Sequence, residues 1–91
     1  LDYSTVALII SERYEEIAAA IDSQLDRGIT YLNGKGFYTK KDKVVLLCAV
    51  RKRQAGQLKE LVSSIDPDAF LILQEAHQVL GNGFKGYSDN I

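Results

Sequence analysis

Residues 33–41 read NGKGFYTKK and combine glycines with lysines, a threonine and an aromatic pair. Glycine permits positive φ and lets backbone N–H groups approach an anion closely, while lysines add positive charge. The threonine hydroxyl and the aromatic rings supply a hydrogen bond and a stacking surface. These residue types together predict contact with a small anionic ligand. The candidate ligand-binding residues here are Gly34, Lys35, Gly36, Tyr38 and Thr39.

The same stretch also fits a solvated connection between two strands. Its GKG is not a phosphate-binding P-loop, because the G-x-x-x-x-G-K-[ST] spacing and the following helix are missing. Composition does not choose between an effector loop over residues 34–43 and a plain hairpin connection. Both interpretations stay open.

Basic residues at two other places extend the list of candidates. Residues 51–53 read RKR at the start of a predicted helix, where arginine forks and a helix N-terminus favour phosphate or carboxylate. Arg51 and Arg53 are therefore candidate ligand contacts, and Arg27 in the motif RGIT is a third. A simpler explanation exists for each. RKR fits a solvated strand end, and Arg27 fits a cation near the C-terminal end of a helix.

Catalytic and metal chemistry find little support in the residue types. His77 is the only histidine, and Cys48 is the only cysteine, so no metal site is predicted. Cys48 lies inside an apolar stretch and is expected to be an inert core thiol. No nucleophile–base pair can be assembled. The sequence therefore predicts a non-enzyme without metal or cofactor.

Length and charge narrow the class of protein. The 91 residues predict one domain spanning 1–91, and the formal net charge of −1 argues against a nucleic-acid binder. No apolar run approaches the roughly 18 residues of a membrane-spanning helix. The chain contains no methionine. We therefore expect a piece excised from a longer protein.

The hydrophobic pattern predicts four strands. Short apolar, β-branched runs indicate strands at residues 4–11, 29–33, 43–50 and 69–75. The turn at Pro67 is expected to direct Phe70 into the core. The glycine-rich tail is expected to form a short turn or edge segment.

One helix is predicted between the first and second strands, and another between the third and fourth. Ser11 is expected to cap the first helix and Gly28 to stop it. The apolar stripes are Tyr14, Ile17, Ile21 and Leu25 in the first helix, and Leu58, Leu61, Val62 and Ile65 in the second. The order βαββαβ predicts an α+β, ferredoxin-like split β-α-β sandwich. In that fold a four-stranded antiparallel sheet carries both helices on one face.

The two strands expected at the centre of this sheet are apolar on both sides. With helices on one face, the other face normally alternates with polar residues. A large apolar face usually marks an interface, so we predict a homo-oligomer, a trimer or a dimer, that buries it. The alternative is that the glycine-rich tail folds back over the sheet. In the first strand one side carries Val6, Leu8 and Ile10 and the other Ala7 and Ile9; in the third strand one side carries Val44, Leu46, Cys48 and Val50 and the other Val45, Leu47 and Ala49.

Several spaced motifs cover nearly the whole chain: DRGITYLNGKGFYT, KVVLLCAV, DPDAFLIL and HQVLGNGF. In these the sequence resembles the cytoplasmic C-terminal domain of YitT-type bacterial membrane proteins, a domain of unknown function. The resemblance implies a ferredoxin-like fold of the kind found in PII (GlnB-like) signalling proteins. Those are typically trimers that bind nucleotides between subunits, beneath the loop joining the second and third strands. It also implies an attached transmembrane region and a location on the cytoplasmic face of the membrane.

Two positions depart from the pattern of this family. Lys40 stands where such domains tend to have glycine, which affects the turn of the loop, and Gln78 stands where glutamate is common. The leading hypothesis is a ligand-sensing domain that forms a homo-oligomer and binds a small anionic effector such as a nucleotide. The alternative is a structural oligomerisation domain with no ligand.

Overall fold

A computed structural model describes residues 5–81 and 85–86 of the chain. The main sheet is built from four strands, and two helices connect them in pairs. A short hairpin follows. The strands are β1 (Thr5–Ile10), β2 (Thr30–Lys35), β3 (Asp42–Val50), β4 (Phe70–Glu75), β5 (Leu80–Gly81) and β6 (Lys85–Gly86). The helices are α1 (Tyr14–Ala20), continued by a π-helical turn (Ile21–Leu25), and α2 (Ala55–Ile65), preceded by a 3-10 turn (Lys52–Gln54).

The four-stranded sheet has the order β2-β3-β1-β4, and every neighbouring pair is antiparallel. β1 and β3 are therefore central, as their apolar sequences predict. This order with two crossover helices is the ferredoxin-like arrangement, so the predicted α+β fold is confirmed. β5 and β6 pair with each other as a separate two-stranded sheet. The expected edge segment is thus a small hairpin, and residues 82–84 and 87–91 of that tail lie outside the described residues.

The core lies between the helices and one face of the sheet. Side chains of β1 and β3 alternate across the sheet with a period of two, so one set from each strand meets the helices. The other set forms what we call the open face. The buried core cluster is Ala7, Ile9, Ile17, Ala18, Ile21, Leu25, Leu46, Cys48, Val50, Leu58, Leu61 and Val62. No helix among residues 5–81 and 85–86 is long and apolar enough to cross a bilayer.

The first helix is stopped two residues earlier than predicted, at Asp26 instead of Gly28. Its last turn is π-helical and buries Ile21 and Leu25, and Asp26 then adopts the left-handed conformation with φ 54°. A left-handed residue stops a helix, and glycine usually occupies that position. Here an aspartate does so, and the prediction that Gly28 stops the helix is wrong.

Phe70 does not enter the core. It lies on β4 opposite Ile10 and is 59% exposed on the open face. The neighbouring Leu71 and Leu73 pack against the core instead. Because successive strand residues point to opposite faces, Phe70 and Leu71 cannot both reach the core. The expectation for Phe70 is therefore wrong.

The start of α1 and the end of α2 are joined by hydrogen bonds. The Ser11 hydroxyl accepts a hydrogen bond from the Arg13 backbone N–H (2.9 Å) and donates one to the Asp66 carboxylate. Arg13 donates from Nη1 to the carbonyl oxygen of Ile65 and pairs with both carboxylate oxygens of Glu16, at 3.0 and 2.8 Å. The N-cap of α1 is Arg13, which makes no side-chain capping hydrogen bond, so the prediction that Ser11 caps the helix is wrong. Ser11 instead supports the turn before the helix and anchors the end of α2.

Candidate functional site

The connection between β2 and β3 is a short hairpin. β2 extends through Lys35 and β3 starts at Asp42, so Gly34 and Lys35 belong to a strand rather than to the loop. The Gly36 N–H donates to the Lys41 carbonyl oxygen (2.9 Å), and the Lys40 N–H donates to the Gly36 carbonyl oxygen (3.0 Å). The loop therefore closes on itself within six residues, 36–41.

Two residues in this loop have constrained positions. Lys40 is left-handed, with φ 60°, which is the conformation that glycine adopts without cost. A Cβ at Gly36 would lie 2.6 Å from the Thr39 hydroxyl oxygen, which accepts a hydrogen bond from the Lys41 N–H (3.3 Å). A side chain at Gly36 would therefore force Thr39 to shift.

The tip of the hairpin carries two exposed rings. Phe37 is 88% exposed and Tyr38 is 93% exposed. The Lys40 ammonium lies 4.5 Å from the centre of the Phe37 ring, a cation–π contact. The tip therefore presents aromatic surface and positive charge together.

A groove of about 430 Å³ lies where the hairpin meets the end of β1 and the start of α1. A second, contiguous depression continues it toward Asn33 and Gly34 on β2. The Tyr14 ring forms one wall and meets the Tyr31 ring edge-on, with the centroids 5.3 Å apart. The lining residues are Ile10, Ser11, Glu12, Tyr14, Thr39, Lys41, Asp42, Lys43 and Val44. The volume is within the range of small-molecule sites.

The basic candidates lie elsewhere. Arg27 is 8% exposed, and its Nε donates to the Ala49 carbonyl oxygen at 3.2 Å, so its guanidinium supports the end of β3. Gln54 accepts a hydrogen bond from the Arg51 N–H (2.9 Å) and donates one to the Leu25 carbonyl oxygen (3.1 Å), fixing the turn into α2. Arg53 is exposed.

These positions divide the predicted ligand-binding residues into two groups. Gly34 pairs with Lys43 at one end of β3, and Arg51 follows Val50 at the other. Seven strand residues of about 3.3 Å separate the ends, or ~23 Å. One small ligand cannot contact both groups within a single chain. The structure brings Gly34, Lys35, Gly36, Tyr38 and Thr39 together in the hairpin. At the other end of β3, Arg27 contacts Ala49, Arg51 follows Val50, and Arg53 is exposed in the 3-10 turn.

The groove includes residues that the sequence did not single out. Ser11, Glu12 and Tyr14 reach it from the β1–α1 connection, more than 20 residues before the hairpin. No local pattern links these segments, because the contact arises from the pairing of β1 with β3. Of the features predicted from the sequence, only the order of strands in the sheet indicates that these residues lie near the hairpin.

Cys48 occupies the core as predicted. It is 1% exposed, and burial raises the pKa of its thiol to about 11, although the nearby Arg27 charge acts in the opposite direction. The thiolate, which is the nucleophilic form, is thereby disfavoured at neutral pH. Within the part of the chain that the structure describes, no three histidine, cysteine, aspartate or glutamate side chains are grouped to hold a metal ion.

A bacterial family described as "Uncharacterized protein conserved in bacteria (DUF2179)" matches residues 27–81, which is more than half of the chain. The chain belongs to this family. The matched region begins at the buried Arg27 and includes the whole β2–β3 hairpin, β3, α2 and β4.

Curated relatives of this DUF2179 domain include membrane proteins. "Uncharacterized protein in cccA 5'region" of Bacillus sp. (strain PS3) is 45% identical over 85 residues, which are 93% of this chain and 57% of that protein. "UPF0750 membrane protein YpjC" of Bacillus subtilis (strain 168) is 45% identical over 78 residues, 86% of this chain and 27% of that protein. The chain thus spans little more than half of the first and about a quarter of the second. "UPF0750 membrane protein YitT" of the same strain is 28% identical over 75 residues, so the predicted relation to YitT-type proteins is confirmed.

Solved structures give the same fold. The crystal structure of a DUF2179 protein from Eubacterium ventriosum is 33% identical, with a TM-score of 0.70, and covers 80% of this chain and 100% of that one. A functionally unknown protein from Pediococcus pentosaceus ATCC 25745 has a TM-score of 0.67 at 10% identity, covering 88% of this chain and 99% of that one. The second likeness concerns the fold alone.

Proposed function

We propose that this domain joins copies of a bacterial membrane protein into a homo-oligomer on the cytoplasmic side of the membrane, through the open face of its sheet. The observation that carries this is the apolar surface of that face, on the side of the sheet away from both helices. The PII comparison supplies an analogy of fold for such assembly and no more than that.

The open face is apolar in two rows that cross all four strands, except for Thr30 of β2. The antiparallel registers align one row of side chains from edge to edge: Leu32, Val45, Ile10 and Phe70. The next row is Thr30, Leu47, Leu8 and Ile72. With strands about 4.8 Å apart, each row covers ~14 Å. A contiguous apolar surface of this kind is unusual on a monomer.

A second copy is the occupant that this surface fits best. The two rows contain no charged side chain, so these rows of one copy meet those of another without burying an unpaired charge. Isologous contacts of this kind, in which the same surface serves both partners, are the commonest in soluble oligomers. Edge residues with substantial exposure, Leu32, Phe70 and Ile72, would gain burial on association.

Sedimentation of the purified domain tests this proposal. We expect an oligomer at tens of micromolar for the wild type and a monomer for the double variant F70E/I72E, whose charges lie on the exposed edge strand. Q57E/S63E, on the exposed side of α2, adds the same charge and should leave the oligomer intact. Retention of the circular dichroism spectrum and of a cooperative melt shows that F70E/I72E still folds. A monomeric wild type would contradict the proposal and favour coverage of the face by the chain's own tail.

A second candidate function is binding of a small anionic effector in the groove beside the hairpin. Lys41 and Lys43 line it with the Thr39 hydroxyl, and the Tyr14 ring offers a stacking wall. Glu12 and Asp42 lie in the same lining, so a ligand with both an anionic group and a hydrogen-bond donor suits it better than a bare anion. Nucleotides and cyclic dinucleotides combine these features with a flat base.

Thermal melting against a panel of such ligands tests this second candidate. A ligand at 100 times its Kd adds about 2.7 kcal/mol to the free energy of unfolding, which raises the Tm visibly. We expect K41Q/K43Q to remove the shift and K52Q/K59Q, with the same change in charge at a distance, to preserve it. If no ligand raises the Tm while the oligomer persists, the effector candidate is contradicted and assembly is the function that remains.

A further inference from the structure

We propose that the tip of the β2–β3 hairpin docks onto an anionic lipid bilayer. We call this surface the aromatic tip and define it by Phe37 and Tyr38 with the lysines around them, Lys35, Lys40, Lys41 and Lys43. Its rings lie away from the open face, although the Lys43 stem lies on the same side of β3 as Val45. Its role does not depend on the oligomer.

The two rings are held out in water rather than packed. At 88% and 93% exposure, Phe37 and Tyr38 make little contact with their own domain. The loop that carries them is closed by two backbone hydrogen bonds between Gly36 and residues 40 and 41. The tip is thus already shaped before it meets a partner, and docking does not have to order it. Aromatic side chains of this kind favour the interface between water and lipid.

Positive charge is concentrated at the same place. Residues 35–43 contain four lysines and one acidic residue, Asp42, although the whole chain has a formal net charge of −1. All four lysines are exposed. Basic residues close to a bilayer are attracted by anionic headgroups, and their long side chains keep the ammonium groups at headgroup level while neighbouring rings enter the lipid.

The comparisons favour lipid over other anionic partners. Relatives that are 45% and 39% identical are membrane proteins, so a bilayer is close to every copy of those chains. A weak docking surface becomes effective at such proximity, because binding within a tethered molecule occurs at a high effective concentration. The tip lies at the end of the sheet opposite Thr5 and Glu75. Docking would therefore place the hairpin end of the sheet against the bilayer, with Thr5 and Glu75 at the end away from it.

Flotation with lipid vesicles tests the proposal directly. The isolated domain is a suitable sample, since a related DUF2179 chain of which this one covers 100% has been crystallised. We expect it to float with phosphatidylcholine vesicles that contain 30% phosphatidylglycerol, less so in high salt, and not with phosphatidylcholine alone. F37A/Y38A and K35Q/K40Q should each weaken binding by about tenfold or more. K52Q/K59Q, which removes equal charge away from the tip, should bind within about twofold of the wild type.

A fluorescent reporter distinguishes insertion from adsorption. The chain contains no tryptophan, so Y38W creates a single probe at the tip, and Y31W places one on β2 beside Tyr14 as a control. We expect a blue shift and quenching by brominated lipid for Y38W only. Absence of flotation with the anionic vesicles, or equal loss of binding in K52Q/K59Q and K35Q/K40Q, would overturn the proposal. Flotation without a blue shift in Y38W would also overturn it.

Discussion

The Ser11 hydroxyl donates a hydrogen bond to Oδ2 of Asp66, 55 residues further along the chain. The other oxygen of Asp66 accepts the N–H of Asp68 at 2.9 Å. Asp66 directly follows α2 and Ser11 directly follows β1, so this carboxylate fixes the end of a helix to the end of a central strand. The Ser11 hydrogen bond, the Asp68 N–H and the charge of Arg13 hold the pKa of Asp66 below its ordinary value of 3.8.

The depressed pKa predicts how stability depends on pH. A carboxyl group whose pKa is lower in the folded state stabilises the fold above its unfolded pKa, and this contribution is lost as the pH falls through the folded pKa. We expect D66N to unfold at lower denaturant concentration at pH 7 and to lose less stability than the wild type below about pH 4. Urea titrations across that range measure both effects.

E60Q serves as the matched control, because Glu60 is an exposed carboxylate of α2. It should follow the pH dependence of the wild type. If D66N and E60Q show the same pH profile, Asp66 does not link β1 to α2 in the way that the hydrogen bonds indicate.

Gly36 should tolerate a methyl group poorly. The new Cβ would lie 2.6 Å from the Thr39 hydroxyl oxygen, and rotating that side chain away would break its hydrogen bond with the Lys41 N–H. We expect G36A to lower the free energy of unfolding by about 1 kcal/mol. The cost should shrink in a T39A background, which removes the hydroxyl.

Gly34 provides the control for this comparison. Its nearest neighbour to an added Cβ is a Lys43 carbon at 3.8 Å, an ordinary contact. G34A should therefore change stability by no more than about 0.5 kcal/mol. Equal costs at the two glycines would show that loss of glycine alone, rather than the contact with Thr39, is responsible. Chemical denaturation of the single and double variants measures these differences.

Replacing Lys40 with glycine should make the fold more stable. A left-handed residue with a side chain costs about 1–2 kcal/mol, while the exposed cation–π contact with Phe37 returns about 0.5–1 kcal/mol. We expect K40G to raise the free energy of unfolding by about 0.5 kcal/mol. In an F37A background the gain should be larger, because no cation–π contact remains to be lost. A lower Tm for K40G in both backgrounds would contradict this account.

Much of the fold could be predicted because its signals are local. The run KVVLLCAV at residues 43–50 is long, apolar and β-branched, and it forms the longest strand of the sheet, Asp42–Val50. The stripe of Leu58, Leu61 and Val62 is buried as its spacing predicts. Two helices and four strands in this order leave few compact topologies, so strand order followed from element order.

The errors arise where local rules compete. At Phe70, hydrophobicity indicated the core, but the alternation along β4 gave those positions to Leu71 and Leu73. At the end of α1, glycine at position 28 suggested a stop, yet a π-helical turn brought Ile21 and Leu25 into the core and placed Asp26 at the left-handed position. The packing of Ile21 and Leu25 set the end of the helix, and helix propensities do not predict such packing.

The candidate site was predictable only in part. The hairpin residues 34–39 lie together because they are adjacent in sequence. The groove beside them depends on Glu12 and Tyr14, which approach through the sheet. The arginines were grouped with the hairpin by residue type, and β3 separates them from it by ~23 Å. Chemical similarity alone therefore overestimated what one site contains.

The central position of β1 has a consequence for synthesis on the ribosome. β1 is made first, yet its partners are β3 and β4, and Thr5 pairs with both Val50 and Glu75. Until residue 75 has left the exit tunnel, a strand with apolar side chains on both faces lacks a neighbour on at least one edge. Unpaired strand edges of this kind invite association with other nascent chains. A chain stalled before β4 should therefore bind chaperones more than one that extends past β4, in which both edges of β1 can pair.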